Sequence, residues 1–150
     1  MLVETGTWRA DAVRALRNDF EAIYSIEIDP KLYELCKARC RRQANAHLYL
    51  GDSAELIDDI LDKLNGPALF WLDAHYMGAD SGGEGSNPIL AEVQAILKRG
   101  VGHVILVDDV REFGADEAYP TIDRVEILAE EHRYAFLVED DVARLTPPSG

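Results

Sequence analysis

The stretch LVETGTWRADAV, residues 2–13, decides how the rest of the chain is read. A short apolar run meets Glu4, turns through Thr5, Gly6 and Thr7, and enters a segment where Val13, Leu16 and Phe20 fall at helical spacing. Strand, glycine turn and amphipathic helix in that order open a parallel sheet covered by helices. A turn lying beyond the carboxyl end of a strand is also where such sheets bind ligands.

Outward from this turn the alternation continues. AIYSIEI (22–28) reads as a second, largely buried strand. DPKLYELCKARC (29–40) is a helix with Asp29 placed to cap it and Pro30 at the first helical position, where a missing N–H costs nothing. AHLYLGD (46–52) is the third strand. Ser53 is placed to cap AELIDDILDKLNG (54–66), whose Leu56, Ile57, Ile60, Leu61 and Leu64 form one apolar stripe ending at Gly66. ALFWLDA (68–74) is the fourth strand, and the polar MGADSGGEGS (77–86) separates it from NPILAEVQAILKRG (87–100), a helix opened by Asn87 and Pro88. HVILVDD (103–109) is the fifth strand, TIDRVEILAEEH (121–132) a helix, and YAFLVEDDVARLTP (134–147) two strands joined by a tight acidic turn. The pattern predicts an α/β fold with a mainly parallel sheet, helices on both faces and an antiparallel last pair. No repeat or linker marks a second domain, so residues 1–150 read as one.

A chain of 150 residues, 47% hydrophobic and 29% charged, suits a globular domain able to bury its own core. Its formal net charge of −13 argues against non-specific binding to nucleic acid or to an anionic membrane, although KARCRR (37–42) is locally basic. No run approaches the ~20 apolar residues of a membrane span. No charged start precedes an apolar signal core, so the cytoplasm is the expected location. Cys36 and Cys40 share a helix face, where free cysteines pack as small hydrophobes and a disulfide is geometrically poor.

The strand ends carry the chemistry. They deliver Glu4-Thr5-Gly6-Thr7, Glu27, Gly51-Asp52-Ser53, Asp73-Ala74-His75 and Asp108-Asp109. A single acid there is ordinary as a helix cap or a solvated loop residue; a row along one edge is harder to explain so. Glu27 lies about 20 residues beyond the first turn, where an acid holds ribose hydroxyls in dinucleotide sites. Yet the turn has one glycine where a dinucleotide fingerprint needs three, and Glu4 would face a pyrophosphate with like charge. S-adenosylmethionine fits better, because it has no phosphate and carries a cationic sulfonium and an ammonium group. In that reading Gly6 admits close backbone approach, Glu27 takes the ribose hydroxyls and Asp52 accepts from the adenine amino group.

VETGT, IYSIEIDP, LGDS, ALFWLDAHY and VILVDD resemble, in order and spacing, the class I S-adenosylmethionine-dependent methyltransferases, and the likeness covers nearly the whole chain. The nearest resemblance is to small bacterial members with an E-T-G-T turn in place of the glycine-rich one. It implies a Rossmann-like, seven-stranded sheet in the order 3-2-1-4-5-7-6. It also implies that Glu4, Thr5, Gly6 and Thr7 surround the methionine part of the cofactor, Glu27 the ribose, and Asp52 with Ser53 the adenine. LDAHY would form the floor between cofactor and acceptor.

A second resemblance, to metal-dependent O-methyltransferases, implies that Asp73, Asp108 and Asp109 bind a divalent cation. All-oxygen ligation suits Mg²⁺, which would orient an acceptor hydroxyl and lower its pKa. His75 is then a candidate base or metal ligand, and Asp73 and Asp109 join it as catalytic candidates. The alternative is that Asp73 only meets the cofactor amine while Asp108 and Asp109 cap a loop. Many relatives carry helices before the first strand, and this chain starts on the strand itself. Either the acceptor pocket is open, or the glycine-rich YMGADSGGEGSNP segment (76–88) or a partner subunit in a homodimer closes it, or the domain is a fragment. Trp8 and Tyr76 are candidates to stack on an acceptor. The expected activity is methyl transfer to a small-molecule acceptor, at a hydroxyl oxygen. Its rivals are a cofactor-binding regulatory domain, a metal-dependent hydrolase and, last, a nicotinamide oxidoreductase.

Overall fold

The computed structural model describes residues 1–73, 87–115 and 119–148. One seven-stranded sheet runs through the molecule, built from β1 (Leu2–Thr5), β2 (Ile23–Glu27), β3 (Ala46–Leu50), β4 (Leu69–Leu72), β5 (Val104–Val107), β6 (Ala135–Glu139) and β7 (Val142–Thr146). Their spatial order is β3-β2-β1-β4-β5-β7-β6. The first five are parallel, and β7 pairs antiparallel with both β5 and β6. Sequence pattern and resemblance anticipated this α/β sheet.

Among the described residues five α-helices cover it: α1 (Asp11–Ala15), α2 (Pro30–Cys40), α3 (Ser53–Leu61), α4 (Ile89–Lys98) and α5 (Ile122–Glu131). Each face has its own core. Val3, Phe70, Leu72, Ile105 and Val107 pack with Ile57 and Ile60 of α3, Val93 and Ile96 of α4, and Val125 and Ala129 of α5. Leu2 and Ile23 pack on the other face with Val13 of α1 and the two cysteines of α2. β1 and β2 are buried almost throughout and so read as continuous runs, while β4 and β5 alternate buried with half-buried apolar residues. Among the described residues no helix is long and apolar enough to cross a membrane.

Local chemistry sets the ends of the elements. Asp29 accepts from the amides of Lys31 and Leu32 and so caps α2, with Pro30 in its first turn. At α3 the expected cap moves by one residue: Asp52 accepts from the Ala54 amide, and Ser53 is the first helical residue, buried. Helix α1 is much shorter than the spacing of Val13, Leu16 and Phe20 suggests. Ala10 precedes it at φ 57° and Leu16 has left helical geometry, yet Leu16 and Phe20 still pack on the same core. Asp140 and Asp141, both left-handed, make the two-residue turn between β6 and β7.

Candidate functional site

Parallel strands present their carboxyl ends along one rim, and the turn after β1 is its centre. Gly6 sits at φ 84°, and the amides of Gly6 and Thr7 both reach the carbonyl of Ile26, which folds the turn back over β2. Glu4 stands opposite Ser25 and Trp71 in the sheet, so its side chain shares a face with Ser25. Ser25 Oγ donates to Glu4 Oε2 at 2.5 Å and lies 2.7 Å from Thr7 Oγ1, a buried chain of three polar groups under the turn. Burial, chiefly, pushes the Glu4 carboxyl up to about 7; the Ser25 bond opposes this, and the charges of Asp73 and Glu27 add to it. Thr5 is fully buried, and its carbonyl accepts from the Asp73 amide.

Glu27 ends β2 almost fully buried. Its two carboxylate oxygens accept from the Trp8 amide at 2.8 Å and the Asp29 amide at 2.9 Å. The first bond steadies Trp8 at φ 52°, with its ring half exposed beneath the Arg9 guanidinium. A carboxylate has about four lone-pair sites, so about two remain for ligand hydroxyls. Asp52 and Ser53 sit farther along the rim at the start of α3.

Beyond β4 and β5, Asp73, Asp108 and Asp109 bring one ligand oxygen each within 4.8 Å of one another. Burial, first of all, raises the Asp108 pKa, and the neighbouring charges of Asp109, Asp73 and Asp141 add to this against the Asp109 amide bond. Oxygen donors alone, at this spacing, fit a hard divalent cation. Arg111 also approaches: its guanidinium lies 2.5 Å from Asp109 Oδ1 and pairs with Asp141. The same acids, with Asn87, Phe113 and Tyr119, line a small cavity. Phe113 and Tyr119 meet edge to face, ring centres 6.0 Å apart.

The structure therefore gathers Glu4 with Thr7, and Asp73 with Asp108 and Asp109, and lines all the expected acids along one rim. His75 and Tyr76 lie outside the described residues, as does most of the 76–88 segment. Sequence reading missed Ser25, Asn87, Glu92 and Arg111. Ser25 is a hydroxyl in the middle of an apolar strand, and Glu92 interrupts the apolar stripe of α4, so both left a visible signal. Cys36 and Cys40 are buried free thiols; Cys36 Sγ donates to the Trp8 carbonyl at 3.0 Å, and burial, chiefly, pushes its thiol up to about 11.

No protein-family model matches the chain, and no curated protein sequence matches it. Solved structures do. The chain is similar to an S-adenosylhomocysteine-bound methyltransferase of Podospora anserina, with TM-score 0.65, 18% identity and coverage of 99% of this chain and 71% of that one. It is similar to an O-methyltransferase of Bacillus cereus in complex with S-adenosylhomocysteine, with TM-score 0.64, 14% identity and coverage of 97% and 73%. An rRNA methylase of Streptococcus thermophilus matches with TM-score 0.60, 14% identity and coverage of 99% and 87%. At these identities the likeness establishes the fold alone: a Rossmann-like, seven-stranded sheet shared with solved methyltransferases.

Proposed function

We propose that the chain is a single-domain enzyme that moves the methyl group of S-adenosylmethionine to a hydroxyl oxygen of a small molecule, assisted by Mg²⁺. The observation that carries this reading is the row of carboxylates on the carboxyl edge of a 3-2-1-4-5-7-6 sheet. In it, Gly6 lets the backbone approach the cofactor, with Thr5 and Thr7 forming the rest of the turn. Glu27 offers its remaining lone pairs to the ribose, and Asp52, beside Ser53, accepts from the adenine amino group. Glu4, 4% exposed, acts as negative charge behind the turn. S-adenosylmethionine supplies an electrophilic methyl group on a cationic sulfur.

Asp73, Asp108 and Asp109 would hold the cation, whose chemistry is to lower the pKa of a bound hydroxyl. Phe113 and Tyr119 give the cavity an aromatic wall suited to a flat acceptor. We assign closure of the acceptor side to the 76–88 segment or a second copy of the chain, His75 to the base, and the enzyme to the cytoplasm. Solved rRNA methylases share the fold, but a charge of −13 favours a small acceptor over RNA.

One observation favours a second, metal-free reading. Arg111 already pairs with Asp109, so a guanidinium could supply the balancing charge. Calorimetric titration with S-adenosylmethionine and S-adenosylhomocysteine, then transfer to hydroxylated acceptors with Mg²⁺ or chelator, tests the set. Binding of neither ligand overturns the proposal. Binding without transfer to any acceptor leaves the regulatory-domain reading, and transfer undiminished by chelator selects the metal-free one.

A further inference from the structure

The inward face of α4 is apolar at Ile89, Val93, Ile96 and Leu97, and Glu92 stands among them with no exposed surface. Both of its carboxyl oxygens are buried without a hydrogen bond, and the Thr5 hydroxyl is in the same condition. Leaving such a group unpaired disfavours the folded state unless something else satisfies it. Packing alone would favour a leucine at this position.

The neighbours of Glu92 indicate what the carboxyl does. From β1 the hydroxyl of Thr5, and from the first residue of α3 the hydroxyl of Ser53, stand near enough to act on its carboxyl without completing a hydrogen bond in this geometry, and the charge acting on it is that of Asp52. Helix α5, also packed on α4, turns Val125 and Ala129 inward. Thr5 belongs to the turn assigned to the methionine part of the cofactor, and Ser53 follows the residue assigned to the adenine. Glu92 therefore lies behind the rim, between the two halves of the cofactor site. We infer that Glu92 is a positioning residue of that site, closing hydrogen bonds to the Thr5 and Ser53 hydroxyls as the cofactor orders the two segments. The inference rests on the proposed function.

A carboxylate can accept from both hydroxyls, and a neutral carboxyl can accept from one and donate to the other, so either form can make the two bonds. Burial, first of all, pushes Glu92 up to about 7; the Ser53 and Thr5 hydroxyls oppose the shift and the Asp52 charge adds to it. Because both hydroxyls can donate, they favour the ionised form, so the brace survives ionisation and tightens as the carboxyl loses its proton.

The test is S-adenosylhomocysteine affinity by calorimetry for wild type, Glu92→Gln and Glu92→Leu, at about pH 6 and about pH 9. Glu92→Gln keeps a donor and an acceptor but cannot ionise. It is expected to bind within about twofold of wild type at the lower pH and to fall about tenfold behind it at the higher one, where the carboxylate accepts from both hydroxyls. Any titration of Glu4 is common to both and cancels in the comparison. Glu92→Leu is expected to bind about tenfold more weakly at the lower pH while melting no lower than wild type. Wild-type affinity in Glu92→Leu, or identical pH profiles for wild type and Glu92→Gln, would reduce Glu92 to a buried core residue. Absence of binding by wild type itself would instead remove the functional reading, and this inference with it.

Discussion

Glu27 accepts from the Trp8 and Asp29 amides while keeping lone pairs for a ligand, so a change there has two separable effects. Glu27→Gln turns one acceptor into a donor that must face a backbone N–H. It is expected to cost about 1–3 kcal/mol of stability by chemical denaturation and at least about tenfold in S-adenosylhomocysteine affinity by calorimetry. Glu4 and Glu92 predict a pH dependence. Both are pushed up to about 7 from 4.5, so the folded state holds more protons than the unfolded one between those values. Stability is then greatest below about pH 4.5 as far as these groups go, falls as pH rises towards 7, and levels off above. Glu92→Gln should melt like wild type at about pH 4.5 and above it at about pH 8. A wild-type melting temperature that does not fall relative to the variant across that range refutes the assignment. The acids at strand ends were legible in the sequence because their meaning is local. Ser25, Glu92 and Arg111 act across the sheet or between loops, so their partners could not be read from neighbouring residues.

Helix starts separate capping from ligand binding. Asp52 caps α3 through the Ala54 amide, and it is also the residue proposed for the adenine. Asp52→Ser preserves a cap, so it should lose only a few tenths of a kcal/mol of stability while weakening S-adenosylhomocysteine several-fold. Asp52→Ala should lose about 1 kcal/mol as well. If the two variants bind equally well and as tightly as wild type, Asp52 is a cap and nothing more. Most element positions were readable from apolar spacing and from Asp-Pro or Asn-Pro starts. Helix α1 was overextended because Leu16 and Phe20 continue to pack on the same core after the helix has ended. Burial periodicity reports which face a residue occupies, not whether the backbone hydrogen bonds persist. Ser53 was misplaced by one residue because Asp and Ser are both good caps and stand side by side.

At the scale of the whole molecule the charge of −13 is concentrated in part on a rim of carboxylates that repel one another. Screening that repulsion should raise the melting temperature between low salt and about 0.5 M. Mg²⁺ at millimolar concentration should raise it further at matched ionic strength, an increment that Asp73→Asn with Asp108→Asn abolishes. An increment that persists in the double variant would place the cation elsewhere. Alternating strands and helices made a parallel sheet legible, but alternation does not state which strand is central. That order came from the family resemblance, and the register now shows it.

The sheet places β7, not β6, against β5, and this has a kinetic consequence. The strand that shields the Val104–Val107 edge is the last of the sheet's seven strands in chain order, so during synthesis that edge waits, apolar and unpaired, until the other six have emerged. A ribosome stalled before residue 142 would carry an incomplete sheet with one sticky margin. The β6–β7 hairpin must then form and dock in a single late event, making it the step at which this sheet either closes its edge or aggregates.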